Sequence, residues 1–387
     1  MTISSRFNVF PETAALYVHV PFCRHRCGYC DFSLVANRDD LQIQYLKSIE
    51  LELQQRVTCS QPELQTLFLG GGTPSQLSNE HLKRLIELIA QHWTITDQTE
   101  FSIEANPFDL TDEKLQQMNS LGINRISVGV QSFDDDVLTT LERDHKASSL
   151  PTRLTQAREI IGNLSIDLIF AVPGQSMASW QHTLDQALAI APDHLSTYGL
   201  TFEKGTSFWS RREKGTLLQQ PEALEAEMYE LAISKITAAG FLHYEVSNFA
   251  IPGKECRHNL GYWTGKTFAA VGPGAAAFDG TTRATNHRSF FTWMKRLNSG
   301  SSPVTDLDEL TTEERAREQL VVGLRLRQGI ERTEFLERTE RDYFELAGEE
   351  LQELIDQQLL SWDAESNRLC MSEKGLLLAD TITVALI

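Results

Sequence analysis

The sequence predicts an α/β fold: a parallel sheet of six strands covered by helices, followed by a small, mainly helical C-terminal domain. Three observations predict it. Short apolar runs recur along residues 16–202, amphipathic stretches of helical length separate them, and the character changes to dense charge at helical spacing from about residue 303. Alternation of this kind builds βαβ units and a parallel sheet. Six strands fall short of the eight of a closed barrel, so an open partial barrel and a doubly wound sheet both stand.

The strand candidates, in order, are LYVHV (16–20), TLFLGG (66–71), FSIEAN (101–106), RISVGV (125–130), SIDLIFAV (165–172) and LSTYGLTF (195–202). Helical periodicity marks 39–56, 79–92, 180–191 and 221–240. Residues 241–300 are richer in aromatics, Gly and Asn than in regular pattern, and RLCMSEKGLLLADTITVAL near the end reads as a hairpin and a terminal helix. The expected division is 12–240 for the sheet domain, 241–300 for a linking region and 301–387 for a winged-helix-like C-terminal domain.

The chain has 387 residues, 41% hydrophobic and 23% charged, with a net charge of -18. That is an ordinary globular composition. The acidic balance argues against nucleic acid, which needs a basic face, and leaves room for docking to a basic or membrane-bound partner. No apolar run reaches the roughly 20 residues that span a bilayer, and the N-terminus has no charged-then-apolar signal pattern. The expected location is the cytoplasm. Cysteines there more often bind metal or catalyse than form disulfides.

Three of the six cysteines, Cys23, Cys27 and Cys30, fall within FCRHRCGYCDF, spaced C-x3-C-x2-C just past the first strand. The C-terminal ends of strands are where such folds place their chemistry. Arg24, His25 and Arg26 lie between the cysteines, and their positive charge is expected to favour thiolates. Three thiolates on a 4Fe–4S cube would leave one iron open. A zinc knuckle is the blander reading, with Asp31 or His25 as fourth ligand. Cys59, Cys256 and Cys370 are scattered and read as structural.

The spacing, with Tyr29 just before the last cysteine, resembles the signature of the radical S-adenosylmethionine (SAM) superfamily. FLGGGTPS (68–75) resembles that superfamily's glycine motif. SIEANP, NRISVGVQSF, DLIFAVPGQS and LSTYGLTFE resemble the branch of oxygen-independent coproporphyrinogen III oxidases and HemW-type haem chaperones. The resemblance implies a partial (β/α)6 barrel, with a 4Fe–4S cluster on Cys23, Cys27 and Cys30. It implies SAM chelating the open iron, with contacts from Tyr17, Tyr29, Gly71, Gly72, Thr73, Glu104, Gln131, Arg143 and Asp167. It names no catalytic residue. The oxidases carry a fourth cysteine where this chain has Phe32, and a long N-terminal arm where only 22 residues precede Cys23. RHNLGYW (257–263) resembles the H-N-x-x-Y-W motif of the chaperones, which implies haem contact at His258 and delivery of haem to an acceptor protein. Ala276 stands where that family often has His. Radical SAM oxidation of a porphyrinogen is the alternative activity.

Overall fold

The computed structural model describes residue 10, residues 13–57 and residues 61–387; Cys59 lies outside them. Six strands follow in chain order: β1 (Ala15–Val20), β2 (Thr66–Gly71), β3 (Glu100–Ala105), β4 (Arg125–Gln131), β5 (Leu164–Phe170) and β6 (His194–Gly199). Each coincides with a run expected from the sequence. They pair in parallel and in sequence order. Right-handed crossovers between strands that never reverse order put every helix on one face. The sheet is therefore an open partial barrel, since a doubly wound sheet needs a reversal.

The helices on that face include α1 (Gln42–Arg56), α2 (Asn79–Ala90), α3 (Asp112–Ser120), α5 (Leu150–Ile161), α6 (Met177–Ala189) and α8 (Glu222–Ala238), while α4 (Asp135–Thr140) and α7 (Ser207–Glu213) share a separate apolar cluster with Val137 and Phe208. Side-chain oxygens of Ser78, Thr111, Ser176 and Thr206 cap α2, α3, α6 and α7, satisfying backbone N–H groups left over at helix starts. Leu16, Val18, Leu67, Leu69, Ile126, Val128, Ile166 and Leu168 are buried on the strands, as expected of a parallel sheet covered by helices.

Residues 241–300 prove more regular than their sequence reads. They hold β7 (Leu242–Glu245), β8 (Asn248–Ala250), α9 (Arg257–Trp263), β9 (Ala269–Val271), β10 (Ala276–Phe278), β11 (Thr282–Asn286) and α10 (Phe290–Asn298). β9 joins β1 from the far edge as a seventh parallel strand, while β8 and β7 extend the other edge in antiparallel fashion. Strands of three to five residues carry too few alternations to show a period.

β12 (Val304–Glu309) completes a three-stranded sheet with β11 and β10. Beyond it lie α11 (Thr312–Leu324), β13 (Ile330–Glu331), α12 (Arg332–Thr339), α13 (Tyr343–Asp356), β14 (Leu360–Asp363), β15 (Arg368–Met371), α14 (Glu373–Leu376) and α15 (Ala379–Leu386). The β14–β15 hairpin and β13 form a small wing against helices, in line with the winged-helix-like expectation. One continuous apolar core runs from Phe10 to Leu386. No helix among the described residues is long and apolar enough to cross a membrane.

Candidate functional site

The cysteine loop leaves the end of β1 and is fastened on three sides. The N–H of Gly72 donates to Val20 O at 2.8 Å and that of Thr73 to Phe22 O at 2.6 Å, so the glycine turn after β2 grips the loop's entry. A Cβ on Gly72 would stand 2.6 Å from Phe22 O and 2.8 Å from Val20 O; only glycine lets the two backbones come this close. On the far side Phe208 of α7 donates its N–H to Gly28 O at 2.8 Å, and its ring lies 6.0 Å from that of Tyr29. A Cβ on Gly28 would overlap that ring. Between them Arg26 donates to Cys30 O, Phe32 O and Leu34 O at 3.1–3.3 Å.

All three cysteines line one cavity of about 1260 Å³ at the C-terminal ends of the strands. Among the described residues no three His, Cys, Asp or Glu side chains converge on a single ion. Cys23 accepts or donates a hydrogen bond with Thr73 Oγ1 at 3.2 Å, and burial pushes its thiol up to about 12 against the lowering effect of that bond. Burial also raises Cys30. The expected help from Arg24 and His25 is absent, because both face carboxylates: Arg24 pairs with Asp109 at 3.1 Å and His25 with Glu142 at 3.6 Å. The cations that lower the thiols are Arg143, for Cys23, and Arg26, for Cys30.

Tyr29, Gly71, Gly72, Thr73, Glu104, Gln131, Arg143 and Asp167 line the same cavity. Glu104 accepts the N–H of Gly71 at 2.9 Å; burial raises its carboxyl to about 7, the Gly71 bond opposes this and Asp167 adds to it. Asp167 accepts Ser127 Oγ through both oxygens, at 3.0 and 2.9 Å, and burial raises it too. Gln131 sits at a bulge in β4 with φ of 67°, a backbone turned to re-aim one side chain. Arg143 donates to Gly129 O at 2.7 Å and lies 3.9 Å from the Cys27 sulfur, while its Nε is buried without a partner. Nine carboxylates and four Lys or Arg side chains line this cavity.

Tyr17 and His258 are placed elsewhere. Tyr17 lines a second cavity of about 840 Å³, and its hydroxyl is hydrogen-bonded to His19 Nδ1 at 3.2 Å. His258, 3% exposed, lines neither cavity. Its Nδ1 is hydrogen-bonded to Thr66 Oγ1 at 2.8 Å and its Nε2 to the Tyr262 hydroxyl at 2.7 Å, and burial holds its pKa down at about 3. Both ring nitrogens are engaged, so neither is free to ligate iron in this arrangement. Tyr262, Trp263 and Ala276 do line the second cavity. Phe32, 59% exposed, is a wall of both.

A family model for the radical SAM superfamily matches residues 17–187. A model for the HemN C-terminal domain matches residues 310–378. The heme chaperone HemW of Bacillus subtilis is 38% identical over 369 residues, which cover 95% of this chain and 97% of that one. Heme chaperone HemW of Mycobacterium tuberculosis is 35% identical over 379 residues, covering 96% and 94%. The chain belongs to the HemW family of radical SAM proteins. Among solved structures, coproporphyrinogen III oxidase (HemN) of Escherichia coli superposes with a TM-score of 0.84 over 98% of this chain and 91% of that one, at 22% identity. That likeness is one of fold.

Two features of this HemW-family site escaped the sequence reading. Phe208 and Gly28 pack a distant helix onto the cysteine loop, and nothing near either residue in the sequence signals the other. The cationic lining of the second cavity comes from separated elements, so no local run of charge announces it.

Proposed function

We propose that the chain holds a 4Fe–4S cluster on Cys23, Cys27 and Cys30, binds SAM at the open iron, and binds haem for delivery to an acceptor protein in the cytoplasm. The observation that carries this is the union, in one cavity, of three thiols with Glu104, Arg143 and Asp167, in a chain whose position 32 is Phe. SAM carries a sulfonium, an ammonium and a carboxylate, for a net positive charge. An acidic cavity with one deep guanidinium suits that distribution. On this reading Arg143 meets the carboxylate, Glu104 and Asp167 meet the positive and hydroxyl groups, and the glycine turn keeps Glu104 in place. The cluster, when bound, supplies an open coordination position and a reducing electron. Residues 12–240 would form the SAM unit, 241–300 the link and 301–387 the C-terminal domain.

The test is anaerobic reconstitution of the full chain with iron and sulfide, then haem titration and a coproporphyrinogen III turnover assay on the same sample. About four irons per chain, saturable haem binding and no turnover are expected. Turnover without haem binding would replace the chaperone reading with the oxidase one.

A further inference from the structure

The bulge in β4 and the loop that follows α4 meet at one side chain, His145. Pairing between β4 and β5 matches Gly129 with Asp167 and Gln131 with Leu168, so Val130 is the extra residue of the bulge. Such a residue is left out of the ladder, and its buried carbonyl needs other partners. Val130 O accepts the N–H of Ser132 at 2.9 Å and lies 3.0 Å from His145 Nε2. A carbonyl only accepts, so Nε2 donates and carries the ring's proton. His145 is 5% exposed; burial, with Arg143 adding to it, holds its pKa down at about 4. The ring is therefore neutral, and Nδ1 bears a lone pair that is buried without a partner among the described residues. The carboxylates facing it are Asp144, 3.9 Å from Nδ1, and Asp135 on α4.

Two residues earlier, Arg143 reaches the same bulge and donates to Gly129 O at 2.7 Å. The turn before it is tight, with Arg143 N–H donating to Leu138 O at 2.9 Å and Glu142 at φ of 58°. A residue other than glycine keeps that left-handed backbone only where its surroundings impose it. One loop thus takes two successive carbonyls of the bulge, Gly129 O with Arg143 and Val130 O with His145. A long side chain such as Arg143 is costly to hold in one rotamer, and its Nε has no partner, so the backbone beneath it has to be fixed. Resting on the SAM reading above, we propose that His145 is a positioning residue for SAM: it pins the loop that carries Arg143 to the bulge that carries Gln131. His145 lines neither cavity and acts through Arg143. Without its N–H the loop shifts while the bulge stays with the sheet, and a displacement of about 1 Å is enough to spoil a positioned contact. Arg143 meets the carboxylate on that reading, so the effect belongs to the carboxylate end of SAM.

The test uses the full chain with its cluster reconstituted, and titrates SAM and decarboxylated SAM, which keeps the sulfonium and the ammonium and lacks only the carboxylate. His145→Leu keeps the bulk and removes the donor. It should weaken SAM at least about fivefold, the size of one lost hydrogen bond, and decarboxylated SAM by less than about twofold, with cluster absorbance unchanged. His145→Gln offers an amide N–H near the place of Nε2 and should restore most of the SAM affinity. In an Arg143→Gln background, His145→Leu should cost nothing further, because the group it positions is gone. SAM affinity unchanged in His145→Leu, equal loss for both ligands, or additive losses in the double variant would overturn the positioning role while leaving the SAM reading in place. Should His145→Leu not fold, His145→Gln is compared with His145→Asn, whose amide stops at the place of Nδ1; equal SAM affinity in the two would overturn the role. Failure of wild type to bind SAM saturably would overturn the SAM reading, and this role with it.

Discussion

Glu104 is a carboxyl held between opposing effects: burial raises it to about 7, and the Gly71 N–H pulls it down. A carboxyl raised above its ordinary value of 4.5 binds more protons in the folded state. Its contribution to stability is therefore fully present below about 4.5 and is lost as pH rises through about 7. Glu104→Gln removes that dependence, so thermal scans of the cluster-free protein should show the variant gaining on wild type between about pH 5 and 8. The shift sets an upper bound of order 3 kcal/mol. A cationic ligand beside Glu104 requires the ionised form, so SAM should bind more tightly as pH rises across 7 in wild type and less steeply in the variant; equal slopes would count against a Glu104–SAM contact. At Cys27, replacement by Ser should abolish the cluster's visible absorbance and most of its iron, and retention of full iron would sink the ligand assignment. His258 bridges Thr66 on β2 to Tyr262 on α9. His258→Ala should cost about 2–4 kcal/mol of stability, as two buried hydrogen bonds are broken, and should weaken haem binding with the cluster intact. Unchanged haem affinity would confine His258 to stability alone.

The element that governs the cysteine loop is the glycine turn after β2. Gly72→Ala puts a methyl group against Phe22 O and Val20 O, which forces the entry to the loop away from the sheet. Cluster reconstitution by this variant should fall several-fold while the β-sheet signal persists; full reconstitution would show that the loop tolerates the shift. This turn was legible in the sequence, because a glycine run closing an apolar strand has few other readings. The six long strands were legible for the same local reason. Strands β7 to β11 were not, since three to five residues cannot display a period and their pairing is decided by distant partners. Tyr17 shows a finer limit. Position on β1 was readable, but strand alternation puts Tyr17 and His19 on one face, and both line the second cavity.

Across the whole molecule, the two cavities depend on how the C-terminal domain is held against the sheet. Leu376–Thr381 line the first cavity and α11 and α12 the second, so both sites lose a wall if that domain drifts. The fastening is at the sheet edge. Val246 N–H donates to Arg325 O at 3.1 Å and Arg327 N–H to Tyr244 O at 3.0 Å, which adds the chain after α11 to β7. Beneath this edge Glu245 is fully buried and accepts from Arg325 at 3.2 Å, with Ser247 N–H and Asn248 as further donors. Glu245→Gln removes the charge that Arg325 meets while keeping the shape, and loss of one partner from such a pair costs more than the pair is worth in water. The variant should be less stable by about 2–3 kcal/mol. Its hydrogen exchange should quicken at 325–327 and at 376–381, with the cysteine loop unaffected. SAM should bind more weakly, because Leu376–Thr381 form a wall of the cavity that holds the three cysteines. Exchange at 376–381 equal to wild type would show that the C-terminal domain is held by its apolar core alone and that the edge pairing serves only to register it.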